Sequence, residues 1–159
     1  MNDAAELRQM LKQMSLFQEF TDSELEALVD LLEPVAVAAG EVIVKQDDPG
    51  DCMYVITRGR ARVLHKRNSR EFELAVIGPG DFFGELAIVD DGPRSADVVA
   101  VDDCQLLRLT EAVLRALAGV YPSASFKLLL AVGRVLVVRM RAGNKRYIDS
   151  LLLSASGKD

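Results

Sequence analysis

A chain of 159 residues, half of them hydrophobic, holds enough material for one ordinary domain with a sizeable core and little more. No stretch reaches the roughly eighteen uncharged apolar residues of a membrane span, and the charged start MNDAAELRQMLKQM lacks the layout of a secretory leader. A cytoplasmic protein without a membrane partner is expected. The net charge of −5 hides an asymmetry, because residues 122–159 carry seven Lys or Arg against two Asp, leaving twelve basic and twenty-two acidic side chains in the rest. A basic tail could meet nucleic acid, but a helix with a charged solvent face explains it without such a partner.

In chain order, helix patterning runs from about Ala4 to Met14 and again through FTDSELEALVDLLE, where Thr21 and Glu24 have the spacing of a capping box. Residues 1–33 are therefore expected to be N-terminal helices. From Pro34 to Leu109 short strand-like runs are broken by AAGE, DDPGD, TRGR, KRNSR and GPGD, turn chemistry at about ten-residue intervals that predicts a β-barrel or sandwich over 34–109. In EFELAVI, Phe72, Leu74 and Val76 alternate with Glu71 and Glu73, the pattern of a half-buried strand. Thr110 caps a short helix, and Pro122 opens a long one reaching at least Ser150, with Gly133 and Gly143 as weak points. The whole of 1–159 thus reads as one domain, with helices over 110–159. Cys52 and Cys104 sit in apolar runs without a partner at metal-ligand spacing, so buried thiols are expected rather than a disulfide.

The stretch 80–97, GDFFGELAIVDDGPRSAD, interrupts this strand pattern with residues suited to holding an anion. Glycine before a helix of about one turn would let the amides of Gly84, Glu85 and Leu86 face a bound group with the helix dipole behind them. Arg94, stiffened by Pro93, offers a full charge and a planar fork for phosphate oxygens, and Ser95 adds a hydroxyl. Glu85 would repel a phosphate, so it should face a sugar hydroxyl of the same ligand, for which a carboxylate is a strong acceptor. The residues together describe a compact phosphate with a ribose hydroxyl nearby.

Here the sequence resembles the cyclic-nucleotide-binding domain family, whose phosphate-binding cassette reads much like FGELAI, a short spacer and PRSADV. GEVIVKQDDPGDCMYVITRGRARV looks like the family's early barrel strands, and the long final helix lies where the family has one. The resemblance implies an α+β, mainly β chain: an antiparallel β-roll of jelly-roll type with N-terminal helices and a long C-terminal helix. It implies a cAMP or cGMP ligand, with a slight lean to cAMP, and no other cofactor. Carried over, Arg94 is the phosphate partner, Glu85 accepts from the ribose 2′-hydroxyl, and Phe83, Gly84, Leu86, Ala87, Ser95 and Ala96 are further contacts. The family often touches the base from its long helix, which puts Asn144 forward as a base contact.

Singly, each residue has a plainer explanation: Arg94 as an ion pair with Asp90 or Asp91, Glu85 as a helix-start carboxylate, Gly84 as a turn residue, Ser95 as a solvent-facing strand residue, Asn144 as an ordinary polar helix residue. The inference rests on their combination. An enzyme is not expected, because His65 stands alone in VLHKR and no nucleophile, base and orienting carboxylate, or set of metal ligands, is assembled.

The long helix carries two apolar stripes, Leu129, Val132, Leu136, Met140, Gly143 and Tyr147, and Leu128, Val135, Val138 and Ala142. One stripe would cover the barrel, the other a second copy of the same helix, giving a homodimer, or else both would be buried within one chain. Winged-helix relatives continue past this helix, and LLLSASGKD is too short for a recognition helix, so direct DNA binding is not expected. The expected protein is a cyclic-nucleotide sensor that transmits occupancy through its C-terminal helix to an unknown downstream partner. A non-binding interaction or oligomerisation module on the same fold is the alternative.

Overall fold

In the computed structural model, which describes residues 3–90 and 92–156, two helices lead into the strands, α1 (Asp3–Gln13) and α2 (Asp22–Leu31). The capping box read from the sequence is present at α2: the Thr21 hydroxyl accepts from the Glu24 amide at 3.2 Å, and the Glu24 carboxylate accepts from the Thr21 amide at 2.8 Å.

Eight strands follow: β1 (Glu33–Val37), β2 (Val42–Val44), β3 (Cys52–Arg58), β4 (Ala61–Arg67), β5 (Arg70–Ile77), β6 (Phe82–Phe83), β7 (Asp97–Ala100) and β8 (Cys104–Thr110). They form two four-stranded antiparallel sheets, ordered β1-β8-β3-β6 and β2-β7-β4-β5. Non-consecutive neighbours in both sheets mean that the chain crosses between them repeatedly, as in a β-roll, and Ile56, Phe83, Val98 and Leu106 fill the space between. The mainly β fold with helices at both ends is the one expected. Cys52 and Cys104 are both free and buried.

The turn α3 (Leu86–Val89) sits between β6 and β7, and two helices close the chain, α4 (Glu111–Val120) and α5 (Pro122–Ser156). Thr110 caps α4 by accepting from the Val113 amide at 3.1 Å, and Pro122 occupies the first position of α5, where its missing N–H costs nothing. A second core joins these helices to the first sheet through Leu11, Phe17, Leu25, Leu28, Met53, Leu109, Leu117 and Leu128.

One polar contact crosses this core. Glu24, 3% exposed, accepts from Lys127 Nζ at 2.7 Å and Ser123 Oγ at 2.6 Å, both on α5. Burial alone would raise its pKa, but the bonds from Lys127, Ser123 and the Thr21 amide outweigh that and pull it down to about 2. The start of α5 is thus tied to α2 by charge as well as by the fully buried Ala124, Leu128 and Val132.

Two apolar patterns come out differently from the sequence reading. On α5 the buried face takes Leu128 from one stripe and Val132 from the other, because residues four apart share a helix face. Val138, Met140 and Tyr147, drawn from both stripes, are more than 60% exposed. On β5, Phe72, Leu74 and Val76 are exposed rather than half-buried. Their alternation is real, but β5 is an edge strand in a hairpin with β4, paired on one side only.

Candidate functional site: the cassette pocket

Residues 82–87, 90 and 92–96 line one side of a cavity of about 410 Å³. Its wall includes Phe83, Gly84, Glu85, Leu86, Ala87, Arg94, Ser95 and Ala96, completed by Val63, Leu74, Ala75 and Ile77 of the second sheet. Every cassette residue singled out in the sequence is therefore in one place.

Local geometry explains how. Gly84 has φ +79, a conformation that L side chains rarely adopt, and it turns the chain from β6 into α3. The turn's own bonds begin with Ala87 donating to the Gly84 carbonyl at 3.1 Å and Ile88 to that of Glu85 at 3.1 Å, so the amides ahead of Ala87 are ones the turn does not use. The far end is stitched to the β2–β3 loop: the Arg94 amide donates to Asp48 O at 2.8 Å, and the Asp47 amide donates to Arg94 O at 2.9 Å.

Arg94 is half-buried and its guanidinium is held from behind. Nη1 donates to the Cys52 carbonyl at 2.8 Å and approaches that of Gly84 at 3.5 Å, while Nη2 lies 3.4 Å from Cys52 Sγ. No ion pair to Asp90 is present, and Asp91 lies outside the described residues. A cation fixed on backbone carbonyls rather than spent on a carboxylate keeps its charge for a ligand. Two glycines make this possible. A Cβ on Gly50 would lie 2.6 Å from Arg94 Nε, and one on Gly84 would lie 2.5 Å from Nη1. Gly84→Ala should therefore displace the guanidinium and strain the backbone by about 1–3 kcal/mol, and thermal unfolding together with anion titration would reveal both losses. Unchanged stability and binding would mean that the turn tolerates a side chain.

Glu85 is 4% exposed and pairs with Arg139 of α5, whose guanidinium also stands 5.5 Å from the centroid of Phe82. Phe83 stacks on Tyr54, ring centroids 5.3 Å apart. Ser95 is exposed, and its carbonyl lies 3.0 Å from His65 Nδ1, so the lone histidine contacts the cassette. Asn144 is exposed on α5 and is not part of the pocket wall; the α5 residues that line it are Arg139 and Arg146. Sequence reasoning missed both, and missed Gly50. Seven-residue spacing between two arginines on a helix was the available signal. Among the described residues no group of three or more His, Cys, Asp or Glu could hold a metal ion, and no helix is long and apolar enough to cross a membrane.

The antiparallel roll thus gathers a glycine turn, a buried carboxylate and a carbonyl-held arginine around one pocket. Comparison with known proteins makes this specific. The profile of the cyclic nucleotide-binding domain matches residues 34–121, and the chain belongs to that family. It is 30% identical over 151 residues to a CRP-like cAMP-activated global transcriptional regulator of Mycobacterium tuberculosis, a match covering 94% of this chain and 66% of that one. The N-terminal domain of a Streptomyces coelicolor transcriptional regulator superposes with a TM-score of 0.74 at 33% identity, covering 86% of this chain and 93% of the other. A cyclic nucleotide-binding domain from Methylobacillus flagellatus gives 0.79 at 25% identity, over 92% and 83%. These relatives are regulatory or binding modules by name, and the chain spans about two thirds of the length of the mycobacterial regulator.

Proposed function

We propose that the chain is a non-catalytic sensor that binds a purine 3′,5′-cyclic monophosphate in the cassette pocket and reports occupancy through α5. The observation that carries the reading is the convergence of Gly84, Glu85, Arg94, Ser95 and Ala96 on one cavity, with Glu85 paired to a residue of α5. Arg94 takes the phosphate, and the unspent amides at the start of α3 assist it. Glu85 accepts from the ribose 2′-hydroxyl. Phe83, Leu86 and Ala87 supply the apolar surround.

In this reading Glu85 has two partners that compete. Arg139 holds it without ligand, and the sugar takes it when ligand enters. Loss of that pair releases α5 at Arg139, beyond the segment anchored by Ala124, Leu128 and Val132. Gly133 and Gly143, each up to about 1 kcal/mol less favourable in a helix than Ala, are the positions where it would bend. Ligand then shifts the population between two α5 arrangements by its differential affinity for them.

Calorimetric titration with cAMP, cGMP and a cyclic dinucleotide tests binding, and hydrogen exchange tests transmission. Saturating cyclic mononucleotide should change protection across residues 130–150 as well as in the cassette; a change confined to residues 80–100 would make α5 mere scaffold. Glu85→Ala should erase the preference for a ribose over a 2′-deoxyribose ligand, and equal losses for both sugars would count against its role.

The second reading, an interaction module, is favoured by the exposed Val138, Met140, Tyr147, Ile148 and Leu151 on α5. A second copy's α5 is the simplest cover for them, and this homodimer is compatible with ligand binding.

A further inference from the structure

The pocket wall that α5 supplies differs in kind from the cassette wall. Its two contributors, Arg139 and Arg146, stand seven residues apart, about two turns and hence on one helix face. Arginine has donors only, five N–H groups in a fixed planar fork. The side-chain acceptors in the pocket, Glu85, Asp90 and the Ser95 hydroxyl, all lie in the cassette. If the cassette takes phosphate and ribose, the remaining part of the ligand, the base, meets donors from α5.

A guanidinium fork matches two adjacent acceptors. Guanine presents such a pair, O6 beside N7, whereas adenine presents N7 beside the N6 amino group, which sets N–H against N–H. Arg139 is engaged with Glu85. Arg146 is the freer of the two: its Nε donates to the Ala142 carbonyl of its own helix at 3.4 Å, and no carboxylate pairs with it among the described residues.

We propose that Arg146, joined by Arg139 once ribose has displaced it from Glu85, selects guanine over adenine, making cGMP the preferred ligand. This rests on the pocket being a cyclic-nucleotide site. The mycobacterial relative, matched over 94% of this chain, is named for cAMP, so the proposal rests on Arg139 and Arg146 being the α5 residues in the pocket wall. A bidentate arginine contact discriminates between bases by roughly 5- to 150-fold.

The test is a titration of the full chain with cGMP, cAMP, inosine 3′,5′-cyclic monophosphate, which keeps O6 and N7 but lacks the 2-amino group, and 7-deaza-cGMP, which lacks N7. The expected order puts cGMP and the inosine ligand together, about fivefold or more tighter than cAMP, with 7-deaza-cGMP falling towards cAMP. Arg146→Leu, at an exposed position of α5, should bring the cGMP to cAMP ratio towards one, with folding checked by thermal melting. Equal or tighter binding of cAMP overturns the proposal, as does an inosine ligand that binds like cAMP, since selection would then run through the 2-amino group. Failure of all four ligands to bind overturns the pocket reading itself, a different result from a reversed order.

Discussion

Arg94→Ala should weaken cyclic-nucleotide binding by about 2–5 kcal/mol, roughly 30-fold at the least, the range for truncating one side of a buried charge pair. The cyclic phosphate carries one negative charge, and Arg94 is the cassette cation facing the cavity. Its neighbours sharpen the expectation. The guanidinium is aimed by the Cys52 and Gly84 carbonyls and fits only because Gly50 and Gly84 lack a Cβ. Arg94→Lys should consequently recover little, since an ammonium cannot hold both carbonyls and present a planar fork. Titration calorimetry decides it, with folding checked by thermal melting. A parent-like affinity in Arg94→Ala would remove the phosphate from this site.

Lys127→Met should destabilise the fold by about 3–5 kcal/mol at neutral pH, because it leaves Glu24 charged, buried and without its cation. The same contact predicts acid sensitivity. Glu24 has a folded pKa of about 2 against an ordinary 4.5. A depressed carboxylate contributes stability that is present above its unfolded pKa and lost as pH falls towards the folded one. The contribution, on the order of 3 kcal/mol, should thus be intact at pH 6 and decline between about 4.5 and 2. Urea unfolding at a series of pH values measures it, and Glu24→Gln should flatten that part of the profile. An unchanged slope in the variant would mean other carboxylates govern acid unfolding.

What the sequence disclosed follows the range of the interactions involved. Thr21 with Glu24, Thr110 with Val113, and Pro122 at the head of α5 act within one turn, so local spacing reveals them. The cassette was legible for the same reason, its residues falling within fifteen positions. Gly50 was not, since it meets Arg94 across forty-four positions and a loop pairing, Pro49 with Pro93, that no local pattern encodes. The helix residue facing the pocket depends on rotation: at about 100° per residue, Asn144 lies some 200° from Arg146, nearly the opposite side. Only the packing of Leu128 and Val132 fixes which side that is. On β5 the alternation of Phe72, Leu74 and Val76 gave the right strand, but alternation says which residues share a face, not whether anything covers it.

The clamp between Glu24 and the first turns of α5 makes the helix a cantilever. Its last fully buried residue is Val132, with Val135 and Leu136 partly packed beyond it, and from Val132 to Ser156 the helix extends roughly 35 Å at 1.5 Å per residue. An arm of that length multiplies small angles: a tilt of five degrees at Gly133 carries the tip about 3 Å. Arg139 grips Glu85 only two turns from the root, where the same tilt moves it less than about 1 Å. In the proposed sensor, a displacement at the pocket too small to break the roll's packing would be large enough, at Leu151 and its neighbours, to alter what can sit against them.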